Sequence, residues 1–320
     1  MDTLFLVAVL FLATMVALWL VSFILEALRP VPKTPEKLRW APEIPISYTD
    51  IDGNRIRYVK TGQGSTLLLL HTLRTQLDLF EKVIPELSKH YTVYALDYPG
   101  HGYSDIPNGK YDADFFAHFV ERFIDSMDLR EVTLCGVSIG GSISLILAGR
   151  QNPRVARVLS INPYDYYKGR GGARSSFLGA MMIHIAPIPF LGETFMRLRN
   201  FVIMKKILNG GVANSESISP ALMKELYNVG NRTGHYRRFV SLLRNSESWE
   251  SATAIYKNIK VPVTLMWGAE DWSKVSEREH DHELIPSAQV ITVENGGHFL
   301  PLDRPDAIIE QLEKSVKTAK

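Results

Sequence analysis

Thiol chemistry is nearly absent from this chain of 320 residues: Cys135 is its single cysteine. That excludes an intramolecular disulfide, and no Cys/His cluster has zinc-binding spacing. An oxidising compartment is therefore not required. An excess of one charge is missing too, since 36 Lys+Arg face 34 Asp+Glu for a net +2. Nothing in the whole-chain charge draws the protein to nucleic acid. There is no internal repeat and no low-complexity tract. What is present is ordinary globular composition, 46% hydrophobic and 22% charged, with enough apolar material for one large core or two smaller ones.

The most telling absence is local. "TLFLVAVLFLATMVALWLVSFIL", Thr3 to Leu25, has no charge, no proline and no glycine. As a helix it reaches roughly 30 Å or more, the thickness of a bilayer core. Trp19 suits an interfacial position. A cleaved signal peptide is the competing reading, but the apolar run is long, Met1-Asp2 offers no positive flank, and no A-x-A site follows. The segment reads as a single-pass anchor over residues 1–27. Arg29, Lys33, Lys37 and Arg39 follow it, which by the positive-inside rule places the rest in the cytoplasm. On that side the sequon "NRT" at Asn231 goes unused. Five prolines between Arg29 and Pro45 predict an extended linker over residues 28–45.

From Ile46 the pattern changes. "ISYTDIDGNRIRYVKTG" alternates around Asp52-Gly53 and predicts a hairpin. "STLLLLHTL", "TVYALDYPG", "EVTLCGVS" and "VARVLSINP" read as buried strands. Helical spacing separates them, as in "YDADFFAHFVERFIDSMDL" with Phe115, Phe119, Phe123 and Met127 on one stripe. Alternating strands and helices predict an α/β protein with a mostly parallel sheet covered on both faces. After Pro163 the alternation stops for nearly a hundred residues of helical pattern, then resumes at "VPVTLMWGAED". The expected division is a core over residues 46–163 and 261–320, with a helical cap over 164–260.

"CGVSIGG", Cys135 to Gly141, ends one predicted strand and opens a helix. A bare G-x-S-x-G arises easily by chance; the strand–turn–helix setting gives it a mechanism, because a sharp turn lifts the Ser138 hydroxyl. A serine needs a base, and the base an orienting acid. Asp271 follows the strand "VTLMWGAE" and His298 follows the last strand in "ENGGHF". All three fall at carboxyl ends of strands, where open α/β sheets gather ligands. Glu270, adjacent to Asp271, and Asp165, after the preceding strand, are the rival acids. His71 is expected to support a loop beside the site and His101 to shape another.

With these residues in place the chain resembles the α/β-hydrolase fold superfamily. "DYPGHGYSD" (Asp97 to Asp105), "GVSIGG", "WGAEDW" and "GGHF" match its landmarks in position and order, from about Ile46 onward. With its anchor the chain is similar to membrane-bound monoacylglycerol-lipase-like members. The resemblance implies a helical cap inserted after the sixth strand, a Ser138–His298–Asp271 triad, and an oxyanion site from the amides of Leu73 and Ile139. It implies no cofactor and no metal. One departure stands out: in "HTLRTQ" Thr72 occupies a position where the family usually has glycine. That brings Arg74 and Gln76 close to the mouth of the site, either against a polar or anionic substrate group or facing solvent.

The cap sequence "FLGAMMIHIAPIPFLGETFMRLRNFVIMKKIL" is rich in flexible apolar residues suited to an acyl chain, with Met181 and Phe190 as candidate contacts. Ordinary cap packing would use the same residues. Residues 164–260 hold fourteen Lys/Arg against six Asp/Glu, which fits either contact with an anionic bilayer or a solvated charged face. The function expected is a membrane-anchored serine hydrolase acting on an ester of a lipid-like or apolar acyl group. Thioesterase, acyltransferase, carbon–carbon hydrolase, perhydrolase or slow-turnover sensor roles remain open on the same residues.

Overall fold

The computed structural model describes residues 3–317; Met1 and Asp2, on which the reading of the amino-terminal flank partly rests, lie outside them. Helix α1 (Thr3–Ala27) is apolar and exposed along almost its whole length. The sheet that follows has eight strands: β1 (Ile46–Ile51), β2 (Asn54–Thr61), β3 (Ser65–Leu70), β4 (Tyr91–Leu96), β5 (Val132–Val137), β6 (Val155–Ile161), β7 (Val263–Gly268) and β8 (Gln289–Val293). Their order is β1-β2-β4-β3-β5-β6-β7-β8, with β1, β2 and β4 paired antiparallel and the rest parallel. At the tip of the first hairpin Asp52 and Gly53 take φ 52° and 77°, as a two-residue type I′ turn requires.

Both faces of the sheet are covered. Leu67 and Leu69 point to one face and Leu68 and Leu70 to the other, all four with no exposure, as expected of a central parallel strand. The short α2 (Ile84–Leu87), α12 (Leu300–Asp303) and α13 (Pro305–Lys317) serve one side. α3 (Ala113–Ser126) and α4 (Ile139–Gly149) serve the other. In α3 the buried face is broader than the predicted stripe, since Phe116 and Val120 are fully buried while Phe115 and Met127 are half-buried.

Register positions the site. Leu70 of β3 lies opposite Gly136 of β5, Val137 opposite Ile161 of β6, Ile161 opposite Met266 of β7, and Gly268 opposite Val293 of β8. The loops leaving these strands therefore emerge side by side at one edge of the sheet. The cap enters between β6 and β7 as α5 (Phe177–Ile185), α6 (Leu191–Arg197), α7 (Phe201–Asn209), α8 (Pro220–Gly230), α9 (His235–Arg244) and α10 (Glu247–Ser251), and α11 (Val275–Leu284) follows β7. Arg238 of α9 ties cap to core by donating to His101 Nε2 at 2.6 Å.

Two expectations are corrected. Residues 28–45 are a spacer only in their first part: Leu38, Ala41 and Ile44 are buried in the core and Trp40 Nε1 donates to Asp78 at 2.8 Å. Apolar side chains after Pro35 dock this second part. The basic excess of the cap is also partly internal, because Arg197, Arg199 and Arg238 are buried.

Candidate active site

The chain leaves β5 at Val137 and reverses into α4 through Ser138, which takes φ 59° and ψ −119°. A non-glycine residue in this region is strained, and such strain persists where the surroundings over-determine it. Here they do. Ser138 N–H donates to Ile161 O at 2.8 Å and Ser142 N–H to Ser138 O at 3.0 Å. A Cβ at Gly136 would collide with the Gly140 carbonyl, and one at Gly140 with the Leu70 carbonyl. Glycine at these positions is what lets strand, turn and helix approach so closely.

Ser138 Oγ lies 2.8 Å from His298 Nε2 and His298 Nδ1 2.6 Å from Asp271 Oδ1. All three side chains are out of contact with bulk water. The carboxylate accepts a hydrogen bond from Nδ1–H, leaving Nε2 as the acceptor for the serine hydroxyl. Burial works to raise the Asp271 pKa, but His298 together with the amide and hydroxyl of Ser273, both donating to Oδ2, outweighs it and holds the carboxyl below its usual value. The geometry is that of a hydroxyl, a base and an orienting acid in sequence.

The rival acids stand elsewhere. Glu270 is exposed. Asp165 is buried and accepts from Tyr256 Oη at 2.6 Å, and burial raises its pKa to about 6. His71, also buried, bridges Thr72 O (2.8 Å) and Tyr98 N–H (3.2 Å). Burial lowers its pKa to about 4, so it is a neutral loop support.

On the other side of Ser138 the turn Thr72–Thr75 closes through Thr75 N–H to Thr72 O at 3.3 Å. Thr72 avoids positive φ; the left-handed step falls on Arg74, at φ 60°. Threonine is thus accommodated without the backbone angles reserved for glycine. Among the described residues the amides of Leu73 and Ile139 donate to no protein acceptor, which leaves both free for an oxyanion.

These groups open into a small cavity. Leu73, Met182, Ile183, Ile207, Leu208 and Phe239 make its apolar wall, and Arg74 lines it as well. Gln76 is not part of it: its amide is buried and donates to Asp78 at 2.7 Å, within the ion-pair network of Arg57, Asp78 and Asp97. Nor are the two cap candidates. Met181 is half-buried one residue from the lining Met182, and Phe190 is 76% exposed against α1. In a helix, adjacent residues point about 100° apart, and periodicity alone did not say which face turns inward.

Two residues were not singled out by sequence. Asn162, directly after β6 at φ 47°, donates to the carbonyls of Gly297 and His298 at 3.0 Å and accepts from Gly268 N–H at 2.9 Å. It clips the His298 loop to the end of β7. An asparagine ending a strand is a signal, since Asn tolerates left-handed backbone. Trp272 stacks on the His298 ring at 3.7 Å and 13°, and only tertiary contact reveals it.

A hydroxyl, imidazole and carboxylate at the carboxyl edge of a mostly parallel sheet, under a helical cap, define a class, and the chain belongs to it: residues 65–305 match the alpha/beta hydrolase fold family. It is similar to a soluble epoxide hydrolase of Corynebacterium sp., 26% identical over 81% of this chain and 93% of the relative. The solved structure of Cfl2 from Burkholderia cenocepacia superposes with a TM-score of 0.76 at 21% identity, covering 89% of this chain and 99% of that one. That of a bacterial membrane phospholipase A covers 98% of this chain and 97% of its own, with a TM-score of 0.71 and 25% identity. These similarities support a hydrolase acting on a small molecule.

Proposed function

We propose that the protein is a membrane-anchored serine hydrolase that cleaves a carboxylic ester of a lipid-like acyl group. The single observation that carries this reading is the continuous Ser138–His298–Asp271 chain of hydrogen bonds beneath an apolar cavity. Ser138 Oγ attacks the ester carbonyl while His298 Nε2 takes its proton, and Asp271 stabilises the imidazolium. The amides of Leu73 and Ile139 hold the oxyanion. The imidazolium protonates the departing alcohol, and a water deprotonated by His298 releases the acid. Opening an epoxide or displacing a halide through an ester intermediate needs a carboxylate at the elbow. Ser138 stands there instead, which argues against both chemistries.

Membrane attachment is supported by α1, which is long and apolar enough to cross a bilayer, and by the protein's similarity to a membrane phospholipase A. The cap presents exposed Phe190 and Leu191 beside α1, and Phe201 and Val202 at the start of α7. A fluorophosphonate probe tests the chemistry. Detergent-solubilised protein should label at Ser138 and hydrolyse acyl esters. Ser138→Ala and His298→Ala should abolish labelling, and Asp271→Asn should lower kcat about 10³–10⁴-fold. A folded wild type that does not label would end this reading.

A further inference from the structure

Among the buried arginines of the described residues, Arg74 is the one that lines the cavity holding Ser138 and His298. Arg57 is held by Asp78 and Asp97 and Arg199 by Glu26, while Arg197 lies over the rings of Phe23 and Tyr236 and Arg238 donates to His101 and His235. Arg74 is 6% exposed, yet among the described residues no carboxylate pairs with it. Its terminal nitrogens contact only the sulfurs of Met182 and Met204, its guanidinium carbon lies 4.6 Å from the Phe239 ring centre, and Nε has no partner. Burial, and then the like charge of Arg199, lowers its pKa to about 9, so it stays cationic at neutral pH. Its backbone is also left-handed, at φ 60° in the turn beside Ser138. A desolvated cation without counter-charge and a strained turn are both unfavourable, and together they mark a functional position. Arg74 follows Leu73 and lines the same cavity as Ser138 and His298.

We propose that Arg74 recognises an anionic group on the alcohol half of the substrate, so that the esters cleaved at Ser138 are acylated phosphates or carboxylates in preference to neutral glycerides. The inference rests on the acyl-enzyme reading above. The charge is assigned to the alcohol half because a lipid-like acyl chain carries none and matches the apolar wall. A planar guanidinium presents paired donors that fit phosphate and carboxylate oxygens alike.

The test compares three esters with one acyl chain: monolauroylglycerol, lauroyl glycerol phosphate and lauroyl lactate. In the full-length protein, kcat/KM for one or both anionic esters should exceed that for the neutral one. Which anionic ester leads assigns phosphate or carboxylate. In Arg74→Met that ratio should fall about tenfold or more, mainly through KM, and Arg74→Lys should restore part of it. Ser138 labelling by the fluorophosphonate is followed in each protein. Absence of labelling in the wild type overturns the acyl-enzyme reading and this inference together, whereas labelling with no anionic preference overturns this inference alone. Equal loss on all three esters in Arg74→Met would make the residue structural and overturn it too. A measurement needing no variant is protection of Ser138 in the wild type: dodecyl phosphate should protect at concentrations at least about tenfold below dodecanol, and equal protection would refute the assignment.

Discussion

At Ser138 and at Asp165 the same physical fact, burial of a polar group, has opposite consequences. Ser138 is held at φ 59° with its hydroxyl aimed at His298, so its cost is met by backbone bonds to Ile161 and Ser142. Asp165 is buried with Tyr256 donating to one oxygen, and burial outweighs what its donors contribute. Burial, and then Asp165, pushes the carboxyl of Asp281 upward as well. An acid whose pKa rises from 3.8 to about 6 on folding binds its proton more tightly in the native state. Its contribution to stability is therefore full below about pH 4 and is lost as pH rises through about 6. Asp165→Asn keeps an acceptor for Tyr256 and removes the charge. Its melting temperature should exceed that of the wild type at pH 8, with the difference shrinking towards pH 5. A constant difference across that range, in thermal unfolding followed by circular dichroism, would refute the assignment.

At the scale of elements, the joint between α1 and the cap is the least expected feature. Glu26, in the last turn of α1, is buried and accepts from Arg29, Arg199 and the amide of Gly234. Arg29 in turn donates to the carbonyls of Arg197 and Arg199 and to the Asn231 side chain. The sequon asparagine is thus taken up by packing. Helix α1 is a strut locked onto the ends of α6 and α8, and the positive charge after it is partly consumed in that lock. Glu26→Gln leaves Arg199 buried without a carboxylate. Breaking one side of such a pair costs about 3–5 kcal/mol. We expect the variant to melt several degrees lower and its cap to be cut faster by trypsin, with Ser138 still labelled in the cold. Unchanged proteolysis would show that the ion pairs do not hold the cap.

For the whole molecule, the question is how α1 and the edge of the cap share one surface. Phe190 lies in a groove with Met15, Val16 and Trp19, about midway along α1. If α1 spans the bilayer, that edge of the cap sits at the depth of the acyl chains and not above the headgroups. A chain lacking residues 1–25 but keeping Glu26 should move from the membrane to the soluble fraction and still react with the fluorophosphonate in detergent. Retention on membranes would transfer the role of anchor to the cap edge. The exposed lysines of α7, Lys205 and Lys206, sit beside the exposed Phe201 and Val202. This mixed surface suits an interface better than bulk water.

The sequence by itself determined the layered α/β fold, the tip of the first hairpin, the helical stretch between the sixth and seventh strands, and the positions of Ser138 and His298 at strand ends, with the acid left between Asp271 and its rivals. Each depends on local signals: period-two and helical patterning, glycines where backbones must pass closely, and polar residues just beyond strand ends. Only the tertiary structure decided that Asp271, not Asp165, reaches His298, that Asn162 and Trp272 fix the imidazole, and that Gln76, Met181 and Phe190 stand away from the cavity. It alone showed that residues 38–44 are docked on the core, that Glu26 locks α1 to the cap, and that Arg74 is buried without a counter-charge. The reason is physical: partners, burial and desolvation are sums over segments distant in sequence. A composition or a period reports which face a residue favours, but not which charge, ring or carbonyl the folded chain places opposite it.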